Sequence, residues 1–315
     1  METILSIENL SVDYKLGRKI YHAVNNVSLI LNKNDSLAVV GESGCGKTTL
    51  GMSLLNILPK EAEVVDGKIY FYNRDILNLN KNDITKIRGG RISMIFQDPL
   101  SSLNPVIRIG EQLRETLKTH RQDFSTGKIE KILNAVQLAD AGLIMNSYPH
   151  QLSGGMRQRI MIAQALCSGP EILIADEPTT ALDVTTQKEI LDLLKNLIKE
   201  FNLTLVFITH NFNIIAELCK RLAVMYAGEI VEEGILKEIF KNPKHPYTKE
   251  LLSIITNIDS SSRKFNAIPG EAPDLSALTT GCYFAPRCKR EIEKCKLRHP
   301  EIEYDGNRQF RCFNP

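Results

Sequence analysis

Short apolar runs separated by polar turns open the chain. Ile4 to Val12 and Ala23 to Leu31 read as strands, and the polar stretch Lys15-Leu16-Gly17-Arg18-Lys19 between them predicts a turn. The apolar run Ser36-Leu37-Ala38-Val39-Val40 precedes a helix-compatible segment from Thr48 to Leu58. β-Branched and aromatic residues dominate Gly67 to Phe71 and Arg91 to Phe96; Pro99 stops the second of these strands and leaves Gln97 at its end. From Ile109 to about Leu166 the period turns helical, as in Ile129, Ile132, Leu133, Val136 and Leu138, which predicts a helical insertion. Ile172 to Ala175 and Leu203 to Ile208 are apolar without alternation, the pattern of strands buried on both faces. Between them Ile190, Leu193, Leu194, Leu197 and Ile198 line one face of an amphipathic helix.

Strands interleaved with helices predict an α/β fold. With 315 residues there is room for roughly two domains of ordinary size. Hydrophobic content of 43%, charged content of 24% and a formal net charge of +2 describe a globular chain and exclude a disordered or nucleic-acid-coating one. Charge therefore names no partner. No apolar run reaches the roughly 18 to 20 residues needed to cross a bilayer, and Met1-Glu2-Thr3-Ile4 lacks the basic and apolar regions of an export signal. The expected location is the cytoplasm.

The first candidate chemistry lies in Gly41-Glu42-Ser43-Gly44-Cys45-Gly46-Lys47-Thr48, between the apolar run and the helix. This fits the phosphate-binding P-loop at every required position. Glycines at 41, 44 and 46 let successive N–H groups converge at a helix start, which makes an anion site. Lys47 is a point charge for β- and γ-phosphate oxygens, and the Thr48 hydroxyl suits Mg²⁺. Asp176-Glu177 closes the buried run at 172–175, where two carboxylates are costly unless a cation or a proton transfer uses them. Asp176 is assigned to Mg²⁺ and Glu177 to the attacking water. Gln97 could ligate Mg²⁺ or place a water. Leu152-Ser153-Gly154-Gly155-Met156 offers a second anion-binding helix start, with Ser153 as its cap. Asp183 reads as the cap of the amphipathic helix, His210 ends the run at 203–208, and Tyr14 could stack on a base.

Taken in order, these pieces resemble the ATP-binding subunit of ABC transporters. Tyr14 matches the aromatic A-loop, residues 41–48 Walker A, Gln97 the Q-loop, 152–156 the family signature, 172–177 Walker B, 180–183 the D-loop and His210 the switch histidine. Met156 departs from the family's more frequent glutamine. The resemblance implies a P-loop NTPase fold of ABC type, with an antiparallel β subdomain, a helical subdomain over about 98–166 and a small C-terminal extension. It implies a nucleotide-binding domain over 1–262 and an extension over 263–315. Catalysis would fall to Glu177, His210 and Lys47. ATP would be held by Tyr14, Gly41, Ser43, Gly44, Cys45, Gly46, Lys47, Thr48, Thr49, Gln97, Ser153, Gly154, Gly155, Asp176 and Asp183, and Mg²⁺ by Thr48, Gln97 and Asp176.

Finer resemblance comes from residues 96–105 (Phe-Gln-Asp-Pro-Leu-Ser-Ser-Leu-Asn-Pro), Val224 to Gly228, His245-Pro246-Tyr247-Thr248 and Gly281 to Cys288. These are similar to the dipeptide/oligopeptide permease ATPases, and Arg88-Gly89-Gly90 with the Leu-Ser-Gly-Gly-Met form is similar to their D-type subunit. The implied partners are an F-type ATPase in a heterodimer, two membrane-spanning permease subunits and, indirectly, a peptide-binding protein, with no nucleic acid, and the implied location of this chain is peripheral, at the cytoplasmic face of the cell membrane. Nickel chelates or another small solute are the alternative cargo. A soluble non-transport ABC ATPase and a nucleotide binder without hydrolysis are the alternative classes.

Four of the seven cysteines, Cys282, Cys288, Cys295 and Cys312, crowd the last stretch, which in a reducing compartment points to a metal site before disulfides. None of their spacings is the short knuckle usual for structural zinc. Four loosely spaced thiolates suit a [4Fe–4S] cluster, which the resemblance also implies for some members; zinc, free thiols and a disulfide stay open.

Overall fold

A computed structural model of the chain describes residues 2–98, 102–180, 182–256 and 268–315. Pro99, Leu100 and Ser101 beside the Q-loop, Ala181 of the D-loop and the expected boundary at 262/263 lie outside the described residues. Strands follow in the order β1 (Thr3–Leu16), β2 (Lys19–Asn32), β3 (Ser36–Val40), β4 (Ala62–Phe71), β5 (Arg74–Asp75), β6 (Ile92–Ile95), β7 (Ile172–Asp176), β8 (Thr204–Thr209), β9 (Arg221–Tyr226), β10 (Glu229–Ile235), β11 (Glu303–Asp305) and β12 (Arg308–Phe310). The chain divides into two compact units, one of residues Met1–Leu77 with Phe207–Pro315 and one of Asn78–Val206.

In the first unit β1 pairs antiparallel with both β2 and β4, and β4 with β5. The turn between β1 and β2 is tighter than the polar stretch predicts. Leu16 already pairs with Lys19, and Gly17 takes φ 63° to close it. β4 begins well before Gly67, which sits at φ 89° where the pairing with β1 shifts register. A Cβ there would run into the backbone of Asn9 and Leu10, so this bulge requires glycine.

β3 pairs parallel with β9, β9 antiparallel with β10, β10 with β12 and β12 with β11. Every residue of β3 is buried, as its unbroken apolar run requires. The C-terminal hairpin therefore extends the unit's own sheet. It is locked there by Glu232, fully buried, whose carboxylate takes hydrogen bonds from the Lys244 and His245 N–H groups and pairs with Arg308. A buried carboxylate so completely partnered offsets its desolvation. Phe284 of the tail packs edge-on against Tyr226 at 5.2 Å and, tilted, against Tyr247 at 5.4 Å. The tail thus buries Phe284 against these rings rather than in a core of its own, while Ile292, Leu297 and Tyr304 stay exposed.

In the second unit β6 pairs parallel with β7. The helical stretch is divided into Ile109–Thr119, Thr126–Ala135, Ala141–Asn146 and Gly154–Leu166. Ser125, Asp140 and Ser153 cap the last three by accepting N–H bonds from Lys128, Leu143 and Met156. Helix Val184–Glu200 buries Ile190, Leu193, Leu194 and Leu197, the face that the sequence periodicity marks out. No helix among the described residues is long and apolar enough to cross a membrane.

Candidate nucleotide site

In the first unit, the residues after β3 form the loop expected from the glycine pattern. Gly44 and Gly46 take φ 79° and 104°, which a side chain would oppose. Helix Lys47–Ser53 starts directly after, shorter than the expected run to Leu58 because Asn56 turns the chain left-handed at φ 51°. The Lys47 ammonium is held by the carbonyls of Gly41 at 2.9 Å and Glu42 at 2.8 Å, and it is buried beside the Cys45 thiol. A buried cation in a glycine-rich loop at a helix start is the chemistry that a phosphate requires. Burial pushes the Cys45 thiol up, so it stays neutral despite Lys47. Ser43, Gly44 and Thr48 face solvent, where a phosphate and a cation would arrive. The Tyr14 and Thr49 hydroxyls bond at 3.2 Å, which fixes the aromatic ring to the helix that the loop opens. His210 follows β8 and is exposed.

In the second unit, Asp176 ends β7 almost fully buried. Glu177 next to it adopts φ 45°, a left-handed conformation that costs of the order of 1–3 kcal/mol for a residue with a side chain and concentrates at functional positions. Its carboxylate accepts from Gln97 Nε2 at 3.1 Å and from the Thr180 hydroxyl at 2.8 Å. Gln97 and Glu177, 80 positions apart, are thereby brought together. Gln97 directs its amide nitrogen to this carboxylate, so any metal contact falls to its other, oxygen end. In this unit Gln97 and Asp176 carry the hard oxygen atoms that Mg²⁺ takes, and in the first unit Thr48 carries another.

The signature segment starts helix Gly154–Leu166, with Ser153 accepting from Met156 N–H at 3.3 Å. Gly154 and Gly155 form its first turn, and a Cβ on Gly155 would press on the Thr186 methyl. Met156 donates only its main chain to the cap, so the departure from glutamine leaves the turn intact. Asp183 accepts from the N–H groups of Thr185 and Thr186 at 3.1 and 3.0 Å, and these bonds, that to Thr186 foremost, hold its carboxyl below the ordinary range. Asp183 thus caps the amphipathic helix, as the sequence reads.

The four-cysteine expectation finds no support in the arrangement of the side chains. Cys282, Cys288, Cys295 and Cys312 are free thiols, and among the described residues no group of three or more His, Cys, Asp or Glu side chains is arranged to hold a metal ion. They do lie in one lobe: Cys282 N–H donates to Cys295 O at 2.8 Å, and Asn314 N–H donates to Cys312 Sγ at 3.4 Å. Burial pushes Cys282 up to about 12 and raises Cys288 and Cys312, the neutral state expected of buried sulfurs without a cation.

Sequence reasoning gave no role to Glu42, Tyr247 or Arg287. Arg287 pairs with Glu42 across 245 positions, and Tyr247 receives the Glu42 N–H at 2.9 Å. No local spacing signals such a contact.

The ABC transporter family matches residues 24–180, and the oligopeptide/dipeptide transporter C-terminal region matches residues 231–295. The oligopeptide transport ATP-binding protein OppD of Escherichia coli (strain K12) is 41% identical over 317 residues, covering 100% of this chain and 94% of that protein. The dipeptide transport ATP-binding protein DppD of Lactococcus lactis subsp. cremoris (strain MG1363) is 46% identical over 292 residues, covering 91% of this chain and 84% of that one. A dimeric ATP-binding cassette solved in a post-hydrolysis state with ADP and Pi superposes with a TM-score of 0.65 at 30% identity, covering 74% of this chain and 98% of that chain. With such relatives along almost its whole length, the chain belongs to the ABC transporter family of ATP-binding proteins, among those that carry the oligopeptide/dipeptide transporter C-terminal region.

Proposed function

We propose that this chain powers the import of dipeptides or oligopeptides as the ATP-hydrolysing subunit of an ABC transporter. The observation that carries the reading is the full-length similarity to oligopeptide and dipeptide transport ATP-binding proteins, C-terminal region included. Bound MgATP supplies the phosphoryl group to be transferred and a cation that neutralises its charge. The chain's residues do the rest by positioning and electrostatics. N–H groups of residues 43–49 and the Lys47 ammonium grip the phosphates, and Tyr14 takes the base. Thr48, Gln97 and Asp176 supply oxygens to Mg²⁺. Glu177 orients water and receives its proton, while His210 and Lys47 offset γ-phosphate charge. Ser153, Gly154 and Gly155 serve the site of a mate, whose signature completes this one.

The finer reading makes the mate an F-type ATPase in a heterodimer, set beneath two permease subunits at the cytoplasmic face of the membrane, with a peptide-binding protein delivering cargo. Residues 1–262 act as the nucleotide-binding domain and 263–315 as its extension. Co-purification tests this assembly: the account expects a second ATPase, two membrane subunits and a binding protein that holds peptide. Recovery of a nickel-chelate binding protein instead would overturn the cargo.

For the tail the reading is a structural [4Fe–4S] cluster, supported by four thiols in one lobe and by the Asn314 N–H on Cys312. An anaerobic preparation is expected to be coloured and to contain about four iron atoms per chain. Zinc without iron, or neither metal, would defeat it.

A further inference from the structure

Glu42, the second residue of the phosphate-binding loop, is held at three separate groups. Its carbonyl takes the Lys47 ammonium at 2.8 Å, its N–H donates to the Tyr247 hydroxyl at 2.9 Å, and its carboxylate receives two parallel bonds from Arg287, at 2.7 and 2.9 Å. Two of these three fasteners come from the C-terminal quarter of the chain.

Arg287 is itself set by its surroundings. Its side chain is 5% exposed, its Nε donates to Pro269 O at 2.9 Å and its NH2 to Ile268 O at 3.2 Å. Its guanidinium also reaches the Tyr226 hydroxyl at 3.3 Å and lies 5.8 Å from that ring's centre. The guanidinium therefore has one direction in which to present its fork, and Glu42 occupies it. Tyr247 is fixed likewise: its N–H donates to His245 Nδ1 at 3.1 Å, and burial lowers that imidazole to about 3, so the acceptor nitrogen stays unprotonated.

A bidentate Arg–carboxylate pair whose guanidinium is this buried, attached to the turn that must hold its N–H groups convergent, does more than fasten a tail. We propose that Arg287 is a positioning residue of the nucleotide site, which makes the C-terminal extension part of the machinery that sets nucleotide affinity. It acts through Glu42, touches no phosphate and rests on the reading of residues 41–48 as the triphosphate site. Tyr247 steadies the same residue from its main-chain side.

Equilibrium titration of fluorescent MgATP into the purified chain tests this, alone and in a double-substitution cycle. Arg287→Gln is expected to weaken binding roughly tenfold, and Glu42→Gln by a similar factor. The pair together should be no weaker than either alone, because both remove one interaction. Arg287→Lys, which keeps the charge but not the fork, should lie between wild type and Arg287→Gln. Lys289→Gln, which breaks the exposed pair with Glu250 two positions along the same tail, should leave affinity unchanged. A folded Arg287→Gln protein that binds as wild type does, or additive losses in the double variant, overturns the proposal. If Arg287→Gln fails to fold, the exchange Glu42→Arg with Arg287→Glu decides, and no recovery of binding in folded protein counts against it. Wild-type protein that ignores nucleotide defeats the functional reading instead, so the two failures are told apart.

Discussion

Glu177→Gln is expected to leave MgATP affinity within about threefold of wild type and to lower turnover in the assembled transporter by about 10²–10⁴, the range for removing a general base. The substitution is nearly isosteric, and its remaining carbonyl oxygen can still accept from Gln97 and from Thr180, the two bonds that seat the carboxylate. The left-handed backbone at φ 45° is as accessible to glutamine as to glutamate, so the loop does not move. On the proposed mechanism, what is lost is the charge that aligns water and takes its proton. Nucleotide titration and phosphate release on the same preparation separate the two effects. Unchanged turnover would remove Glu177 from the mechanism.

Gly46→Ala should abolish nucleotide binding at any practical concentration, a loss of at least about a hundredfold or about 2.7 kcal/mol. Two penalties coincide. Alanine is strained at φ 104°, and its Cβ would run into the carbonyl of Ala23 and lie 2.8 Å from Met225 Cε. The Ala23 carbonyl is main chain in β2 and cannot swing aside, so the loop must shift. Gly46 also provides the carbonyl that accepts the Leu50 N–H at 2.9 Å, and moving it displaces the helix start where the N–H groups converge. Gly44→Ala is the matched comparison. Its φ of 79° is strained too, but a Cβ there meets nothing within 4 Å, so its loss should be clearly smaller. Equal losses at the two positions would mean that strain alone, and not the approach of β2, governs the loop.

The sequence made some of this plain for physical reasons. Strands buried on both faces need apolar residues at every position, which is why 172–175 and 203–208 read so directly. The phosphate loop reads directly too, since few residue types tolerate its dihedral angles. The last step of β1 to Leu16 was hidden because Lys15 and Leu16 pair across a two-residue turn with exposed partners and leave no burial pattern. The left-handed Glu177 was not legible, because nothing in Asp-Glu-Pro announces a positive φ. Neither was the clasp of Arg287 on Glu42. Conformational preferences extend a few residues, and a contact across 245 positions exists only once β3, β9 and the tail are placed. The cysteine spacing was the least informative signal: it located a lobe, and among the described residues no group of three or more side chains is arranged as a metal site.

The most direct measurement is phosphate release against MgATP concentration, by the chain assembled with its mate and membrane subunits. The account predicts saturable, magnesium-dependent release. Absence of release above background at saturating MgATP, from an intact assembly, would contradict it.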